Sequence, residues 1–356
     1  MTASNIHSNI IFTQQIETEL EKIVCNYAAG KVFLLTEETP AKLCLPLIQS
    51  LVDRYQIRWL AISGGETHKS IRSVELVWEM LSRYGSDRKS LLINIGGGML
   101  TDLGGFAAST FKRGMDFVNI PTTLLAQVDA SLGGKTGINF FGLKNEIGVF
   151  NEPDAVIINT NFLKTIDQEN FLSGYAEMLK HGLIKSPAHW DELMQYDLKN
   201  INYDALQEII SHSVDIKKWH VENDLTEKNI RKALNFGHTV GHAFESYALH
   251  ESRPILHGYA VVYGMIVELY LSVKKCGFDA ALLNSISKWL LEKYGKFEIT
   301  TADYQALYEL MTHDKKNEGS RINFTLISEI GGVEINQDCQ KALILEALDY
   351  YRQLSA

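Results

Sequence analysis

Short, continuous apolar runs alternate with longer stretches of helical spacing over the first part of the chain. The runs VFLLT from Val32, RWLAIS from Arg58, LLINIG from Leu91, FVNIP from Phe117 and AVIIN from Ala155 lack polar alternation. Strands buried on both faces read this way. The segments between them, such as Thr67 to Tyr84, have the spacing of amphipathic helices. Strand-helix alternation predicts a Rossmann-like α/β domain with a mainly parallel sheet, placed at residues 1–160. From about Asn161 the texture changes. FLSGYAEMLKHGLIK, ALQEIISHSVDIKKWHV, HTVGHAFESYAL and HGYAVVYGMIVELYLSVKK all repeat apolar positions at helical period, and proline becomes sparse. An all-helical second domain is expected over 161–356, with the boundary between Asn159 and Thr165 and one short extended piece from Arg321 (RINFTLI). No repeat or low-complexity linker interrupts the chain.

Composition narrows the picture. The chain has 356 residues, a length that suits two domains, and 46% are hydrophobic, enough for sizeable cores. The formal charge is −9 with no long basic run, which argues against nucleic acid as a partner. An anionic ligand on such a protein needs a local cationic pocket. The four cysteines, Cys25, Cys44, Cys276 and Cys339, are far apart and form no CxxC, so they are expected as reduced core residues. The N-terminal MTASNIHSNIIF lacks the basic and apolar segments of a signal peptide, and the apolar helix near Ala260–Val273 carries Glu268 and is too short to span a bilayer. A soluble, cytoplasmic protein without a membrane partner is expected.

Candidate chemistry concentrates in a few places. Between Lys112 and Asn145, the residues Arg113, Asp129, Lys135, Lys144 and Asn145 stand among glycines, and Pro121-Thr122-Thr123 closes a strand. Cations in glycine-rich loops are natural clamps for carboxylate or phosphate. Gly96-Gly97-Gly98, followed by Asp102, ends a strand and opens a helix. Backbone N–H groups there favour a pyrophosphate, although the motif is not GxGxxG and can be a plain tight turn. Ser63-Gly64-Gly65-Glu66, with Lys69 beyond it, ends another strand in the same way and strengthens a dinucleotide reading. His238 and His242 share a helical face. An isolated HxxxH is as often a core or surface pair as a metal site. The candidate ligands are His238, His242, His250, His257 and His181, with Glu177 as an acidic ligand, and spacing cannot choose among them. Lys180, Lys217, Arg231, Asn235 and either Lys315 or Lys316 complete the polar set, each alone an ordinary solvated group.

Together, the Gly96–Asp102 turn, the Lys112–Asn145 stretch, NFGHTVGHAFE (Asn235 to Glu245) and Leu256-His257-Gly258 resemble 3-dehydroquinate synthase of the sugar phosphate cyclase superfamily. The resemblance runs from about Val32 to about Gly332. It implies an NAD- and metal-dependent lyase of the shikimate pathway that turns 3-deoxy-D-arabino-heptulosonate 7-phosphate into 3-dehydroquinate and phosphate. NAD would be lined by Gly64, Gly65, Glu66, Lys69, Gly96, Gly97, Gly98, Asp102, Thr122, Thr123, Lys135, Lys144 and the segment Phe162 to Thr165. Glu37 and Thr39 could touch its adenosine end. The metal, Zn²⁺ or Co²⁺, would be held by Glu177, His238 and His257, with His181 and His250 as bystanders. The substrate would meet Arg113, Asp129, Lys135, Asn145, Lys180, Lys217, Arg231, Asn235, His242, His257 and Lys315, or Lys316 in its place. Asp129 and His242 would handle protons, and Arg113 and Lys135 would join them in catalysis.

The implied chemistry removes hydride from a carbinol to NAD⁺, eliminates phosphate beside the new ketone, returns the hydride and closes a carbocycle by an aldol step. NAD is therefore catalytic rather than consumed. A homodimer is implied. Tyr259 stands where the family usually has Glu, and Ser246–Pro254 is longer than usual. Two rival readings share the architecture: a sibling cyclase acting on another sugar phosphate, and a metal-dependent polyol dehydrogenase. The latter lacks the DASLGGKTGIN and Lys144-Asn145 segments and releases NADH. A non-catalytic NAD-binding protein would have no use for both ligands and clamp.

Overall fold

The apolar runs become the strands of one sheet. The structure, a computed structural model, describes residues 9–141, 143–312 and 322–355. The strands of the first unit are β1 (Asn9–Phe12), β2 (Val32–Glu37), β3 (Arg58–Ile62), β4 (Leu91–Gly96), β5 (Asp116–Pro121), β6 (Lys135–Phe140), β7 (Leu143–Phe150) and β8 (Ala155–Ile158). Six of them pair in parallel in the order β1-β8-β5-β4-β2-β3. The helices between are α1 (Ile16–Val24), α2 (Glu38–Leu43), α3 (Gln49–Arg54), α4 (Ile71–Arg83) and α5 (Gly98–Thr110).

Successive side chains of a strand point to opposite faces, so an all-apolar run feeds two cores. Leu34, Ile93, Val118 and Ile157 pack with Leu20 and Val24 of α1 and with Leu45 and Leu51. Phe33, Leu35, Leu92 and Phe117 pack on the other side with Val74 and Val77 of α4 and Leu100, Leu103 and Ala107 of α5. β6 and β7 form a separate antiparallel pair that the sequence reading took for loop. Its register runs through Gly137↔Gly148, where a Cβ on Gly148 would lie 2.2 Å from Thr136 O. No apolar run could have announced it, because β7 is exposed along its whole length.

Contacts divide the described residues into two compact units, one up to Asp167 together with Ile201–Ser211, the other Gln168–Asn200 together with the chain from His212 onward. The helices that follow are α6 (Gln168–Lys185), α7 (Pro187–Gln195), α8 (Tyr203–Asn223), α9 (His238–His250), α10 (His257–Cys276), α11 (Ala280–Tyr294), α12 (Tyr304–Thr312) and α13 (Lys341–Gln353). α6 is buried from Phe171 to Ile184, its polar Glu177, Lys180 and His181 included. The extended piece near residue 321 is one arm of an antiparallel hairpin, β9 (Asn323–Glu329) with β10 (Gly332–Asp338), whose Phe324, Leu326 and Ile327 are buried.

Lys315 and Lys316 lie outside the described residues. Of the cysteines expected in the core, Cys44 and Cys339 are buried, but Cys25 is exposed and Cys276 only half-buried; all four are free thiols. Among the described residues no helix is long and apolar enough to cross a membrane.

Candidate active site

In the first unit the strand order reverses at β2, which has β3 on one side and β4 on the other. Open α/β sheets bind ligands outside the carboxyl ends of strands at such a point. Glu37 ends β2, Gly96 ends β4, and Gly97 caps α5. Gly97 N donates to Glu37 Oε2 at 3.2 Å. Burial pushes the Glu37 carboxyl up, and the Gly97 N–H only partly offsets it. A Cβ on Gly96 would lie 2.4 Å from Leu100 Cδ2 and 2.9 Å from Glu37 Oε2, and one on Gly98 2.7 Å from the Ala130 methyl. The chain's own packing therefore demands glycine at both positions, and the turn presents backbone without side chains. The second turn, Ser63 to Glu66, is exposed, with Gly65 at φ 97°.

Three of the expected residues meet at one ammonium. Lys69, 4% exposed, donates to Asp102 Oδ2 at 2.6 Å and to Asn145 Oδ1 at 2.5 Å. Asn145 adopts φ 51°, and its N–H donates to Asn139 Oδ1, while Asn139 Nδ2 donates to Glu66 Oε1. The turn after β3 is thus tied to the β6–β7 pair through side chains. Lys135 and Lys144 are exposed on that pair. Thr122 is buried with its N–H on Gly96 O, and Thr123 Oγ1 accepts from Ala126 N. Asp129 is half-buried in a π-helical turn, Ala126–Ala130, an uncommon geometry that recurs at functional sites. Arg113 is exposed at φ 70°, between Lys112 at φ 49° and Gly114 at φ 116°. Phe162 belongs to the core beneath the sheet, so any contact it makes with a cofactor comes from its backbone; Thr165 is exposed nearby in sequence.

In the second unit Glu177, Lys180, His238, His242 and His257 come together. Glu177 is fully buried on α6, and Lys180, one turn on, pairs with its Oε2. Its Oε1 has no hydrogen-bond partner and lies 3.5 Å from His238 Nε2 and 3.6 Å from His257 Nε2. These separations are long for hydrogen bonds. They suit donors aimed at a common point, and the three ligand atoms all lie within 4.8 Å of one another. The far ring nitrogens are held too, His238 Nδ1 by Phe236 O at 3.1 Å and His257 Nδ1 by Glu245 Oε2 at 3.4 Å. Burial alone would push His257 down, but Glu177 and Glu245 beside it push it up to about 10. Burial likewise raises Glu177, and the Lys180 ammonium and His257 outweigh that and hold it well below the usual carboxylate range. The His242 ring lies 5.3 Å from that of His238 and 5.9 Å from that of His257.

Close backbone packing sets this geometry. His257 and His238 are the first residues of α10 and α9, so small shifts of either helix move a ligand atom. A Cβ on Gly258 would fall 2.0 Å from Ser173 O, one turn before Glu177, and Gly258 N donates to Ser173 Oγ. A Cβ on Gly264 would fall 2.0 Å from Gly237 O. The buried Glu268 of α10 accepts from Gly237 N at 2.6 Å and Val240 N at 3.1 Å, capping the start of α9 from a distance. Asp224 builds the neighbouring loop by accepting from Lys228 N, Asn229 N and Arg231 N. On that loop Arg231 is buried and donates to Leu225 O, and Asn235 Nδ2 donates to Glu227 Oε1. Lys217 is buried on α8. His250 is exposed at the end of α9, and buried His181 faces Ser213 Oγ at 3.3 Å. Sequence reasoning missed Glu227, Glu245 and Asp224, and noticed Glu268 only as a charge in an apolar helix. No local motif marks them, since each acts across a loop or between helices.

Comparison with known proteins agrees with this architecture. The family model for the N-terminal domain of 3-dehydroquinate synthase matches residues 59–173, and that for its C-terminal domain matches residues 174–317. A 3-dehydroquinate synthase of Parabacteroides distasonis is 48% identical over 344 residues, covering 97% of this chain and 98% of its own. One of Campylobacter concisus is 37% identical over 94% of each. Among solved structures, 2-epi-5-epi-valiolone synthase of Streptomyces hygroscopicus subsp. jinggangensis, with NAD⁺ and Zn²⁺ bound, shares the fold with a TM-score of 0.81 at 22% identity, over 99% of this chain and 98% of its own. Glycerol dehydrogenase of Schizosaccharomyces pombe does so with a TM-score of 0.68 at 12% identity, over 99% and 91%. The matches to both domain models and the near-full-length identity to curated relatives place the chain in the 3-dehydroquinate synthase family.

Proposed function

We propose that the chain is a 3-dehydroquinate synthase, converting 3-deoxy-D-arabino-heptulosonate 7-phosphate to 3-dehydroquinate and phosphate with catalytic NAD and a divalent metal. The observation that carries this is the buried Glu177 Oε1, without a hydrogen-bond partner and facing two imidazole Nε2 atoms. A buried carboxylate oxygen left in that state calls for a cation. Glu177, His238 and His257 would hold Zn²⁺ or Co²⁺, since one carboxylate and two imidazoles suit either ion. We assign NAD binding to residues 1–160 and metal and substrate chemistry to residues 161–356. When bound, the metal would supply Lewis acidity at the substrate's hydroxyls, and NAD⁺ would accept and later return the hydride.

The protein's own groups prepare that chemistry. Lys180 keeps Glu177 ionised by holding its second oxygen. Phe236 O and Glu245 draw the Nδ1–H tautomer from His238 and His257, leaving Nε2 as the ligand atom. Arg113, Lys135, Asn145, Lys217, Arg231 and Asn235 would recognise the carboxylate, phosphate and hydroxyls, with Asp129 and His242 moving protons. We place the enzyme in the cytoplasm as a homodimer.

Sibling cyclases and polyol dehydrogenases remain the alternatives. The 48% identity to a dehydroquinate synthase, against 22% to a valiolone synthase and 12% to a glycerol dehydrogenase, favours the first reading. The test is incubation with the heptulosonate phosphate, NAD⁺ and Zn²⁺. Inorganic phosphate and dehydroquinate should appear together while NADH absorbance stays flat. A stoichiometric rise in NADH would make the protein a dehydrogenase, and a product of different mass would make it a sibling cyclase.

A further inference from the structure

A second set of donors lies in the helical unit, on residues the reaction does not use. Ser186 caps α7, accepting from His189 N at 3.2 Å, and Pro187 starts the helix. His189 and Glu192 follow three apart on one face. His212 and Ser213 come from α8. Glu192 Oε2 lies 2.9 Å from His189 Nδ1 and 3.0 Å from His212 Nδ1. The three donor atoms all lie within 4.8 Å of one another.

We propose that His189, Glu192 and His212 form a second binding site for a divalent transition-metal ion of the zinc or cobalt class, separate from the Glu177 centre. Two imidazoles and a carboxylate are the donors such ions favour. Ligands about 2.1 Å from an ion, at angles of 90–110°, stand about 3.0–3.4 Å apart; the His212 separation of 3.0 Å is at the lower limit of that range and the His189 separation of 2.9 Å just below it, so the groups need only part slightly to admit an ion. The support behind His189 is also that of a ligand. His189 Nε2 lies 3.0 Å from Ser213 Oγ, and Ser213 Oγ lies 3.3 Å from His181 Nδ1. A serine hydroxyl has one proton to give. Given to His181, it leaves the oxygen to accept from His189 Nε2–H, and with an ion bound His189 Nδ1 would turn its lone pair to the ion in place of the hydrogen bond it now makes with Glu192.

The site has a way in. His189 is buried, while the side chains of Glu192 and His212 are 31% and 46% exposed. An ion there would tie α7 to α8 and stabilise the helical unit by mass action.

The test uses the full-length enzyme, stripped with a chelator and dialysed against Co²⁺ or Zn²⁺, with bound metal counted per chain. Wild type should bind one ion more than His212→Ala or Glu192→Gln. Glu177→Gln should lose a different ion, so that Glu177→Gln/His212→Ala binds none. The exposed His212 keeps its variant foldable, and circular dichroism checks this. If both His212→Ala and Glu192→Gln hold as many ions as wild type, the second site does not exist. Failure of the Glu177 centre alone would appear differently, as an ion count that Glu177→Gln leaves unchanged.

Discussion

At the scale of single residues, the proposed ligand set rests on its supports. Among the described residues Glu245 is the acidic group placed on His257 Nδ1, and Tyr259 contacts the Tyr294 ring. Glu245→Gln should weaken zinc binding about 10- to 100-fold, read by chelator competition, with an unchanged circular dichroism spectrum. Unaltered affinity would reduce Glu245 to a bystander. Arg113→Ala should cost about 1.5–3 kcal/mol in kcat/KM and little in melting temperature, because the side chain is exposed on its turn. A variant with wild-type kcat/KM would show that Arg113 is a surface charge. The convergence of Glu177, His238 and His257 was legible because each sits inside a motif that resembles a known one. Glu227, Glu245 and Glu268 were not, since an acid acting on a partner 8, 12 or 31 residues away leaves no local pattern.

At the scale of elements, the parallel strands were readable because burial on both faces forces an unbroken apolar run. β1, only Asn9–Phe12, was too short to register, and of the β6–β7 pair β7 is exposed throughout and each strand is interrupted by a glycine. The helices of the second unit were readable from period alone, but their packing was not. What decides it is the contact of Gly264 with Gly237 and Gly241, where a Cβ would meet backbone at 2.0 and 2.6 Å. Backbone cannot yield as a flexible side chain can. Gly264→Ala should therefore push α9 away from α10 and cost about 1–3 kcal/mol, seen as a lower melting temperature. Because His238 adjoins Gly237, the same variant should bind zinc more weakly. If stability falls and zinc affinity does not, the helix contact and the ligand geometry are uncoupled.

At the scale of the whole molecule, an acidic chain carries its candidate metal ligands and substrate-binding cations in a few short segments, so net charge argues against nucleic acid yet does not name the substrate. A surface suited to association lies elsewhere, on the β6–β7 pair. Among the described residues its two strands pair only with each other, and it exposes 90% of Phe141, 70% of Phe150 and 54% of Leu143. Apolar surface left in water costs about 25 cal/mol per Å², and unpaired strand edges invite another chain. If a second copy covers this pair, folding and association become one equilibrium. The melting temperature should then climb as the wild-type protein is concentrated. Phe141→Asp, a charge placed on the open surface, should sediment as a monomer and melt at one temperature whatever its concentration.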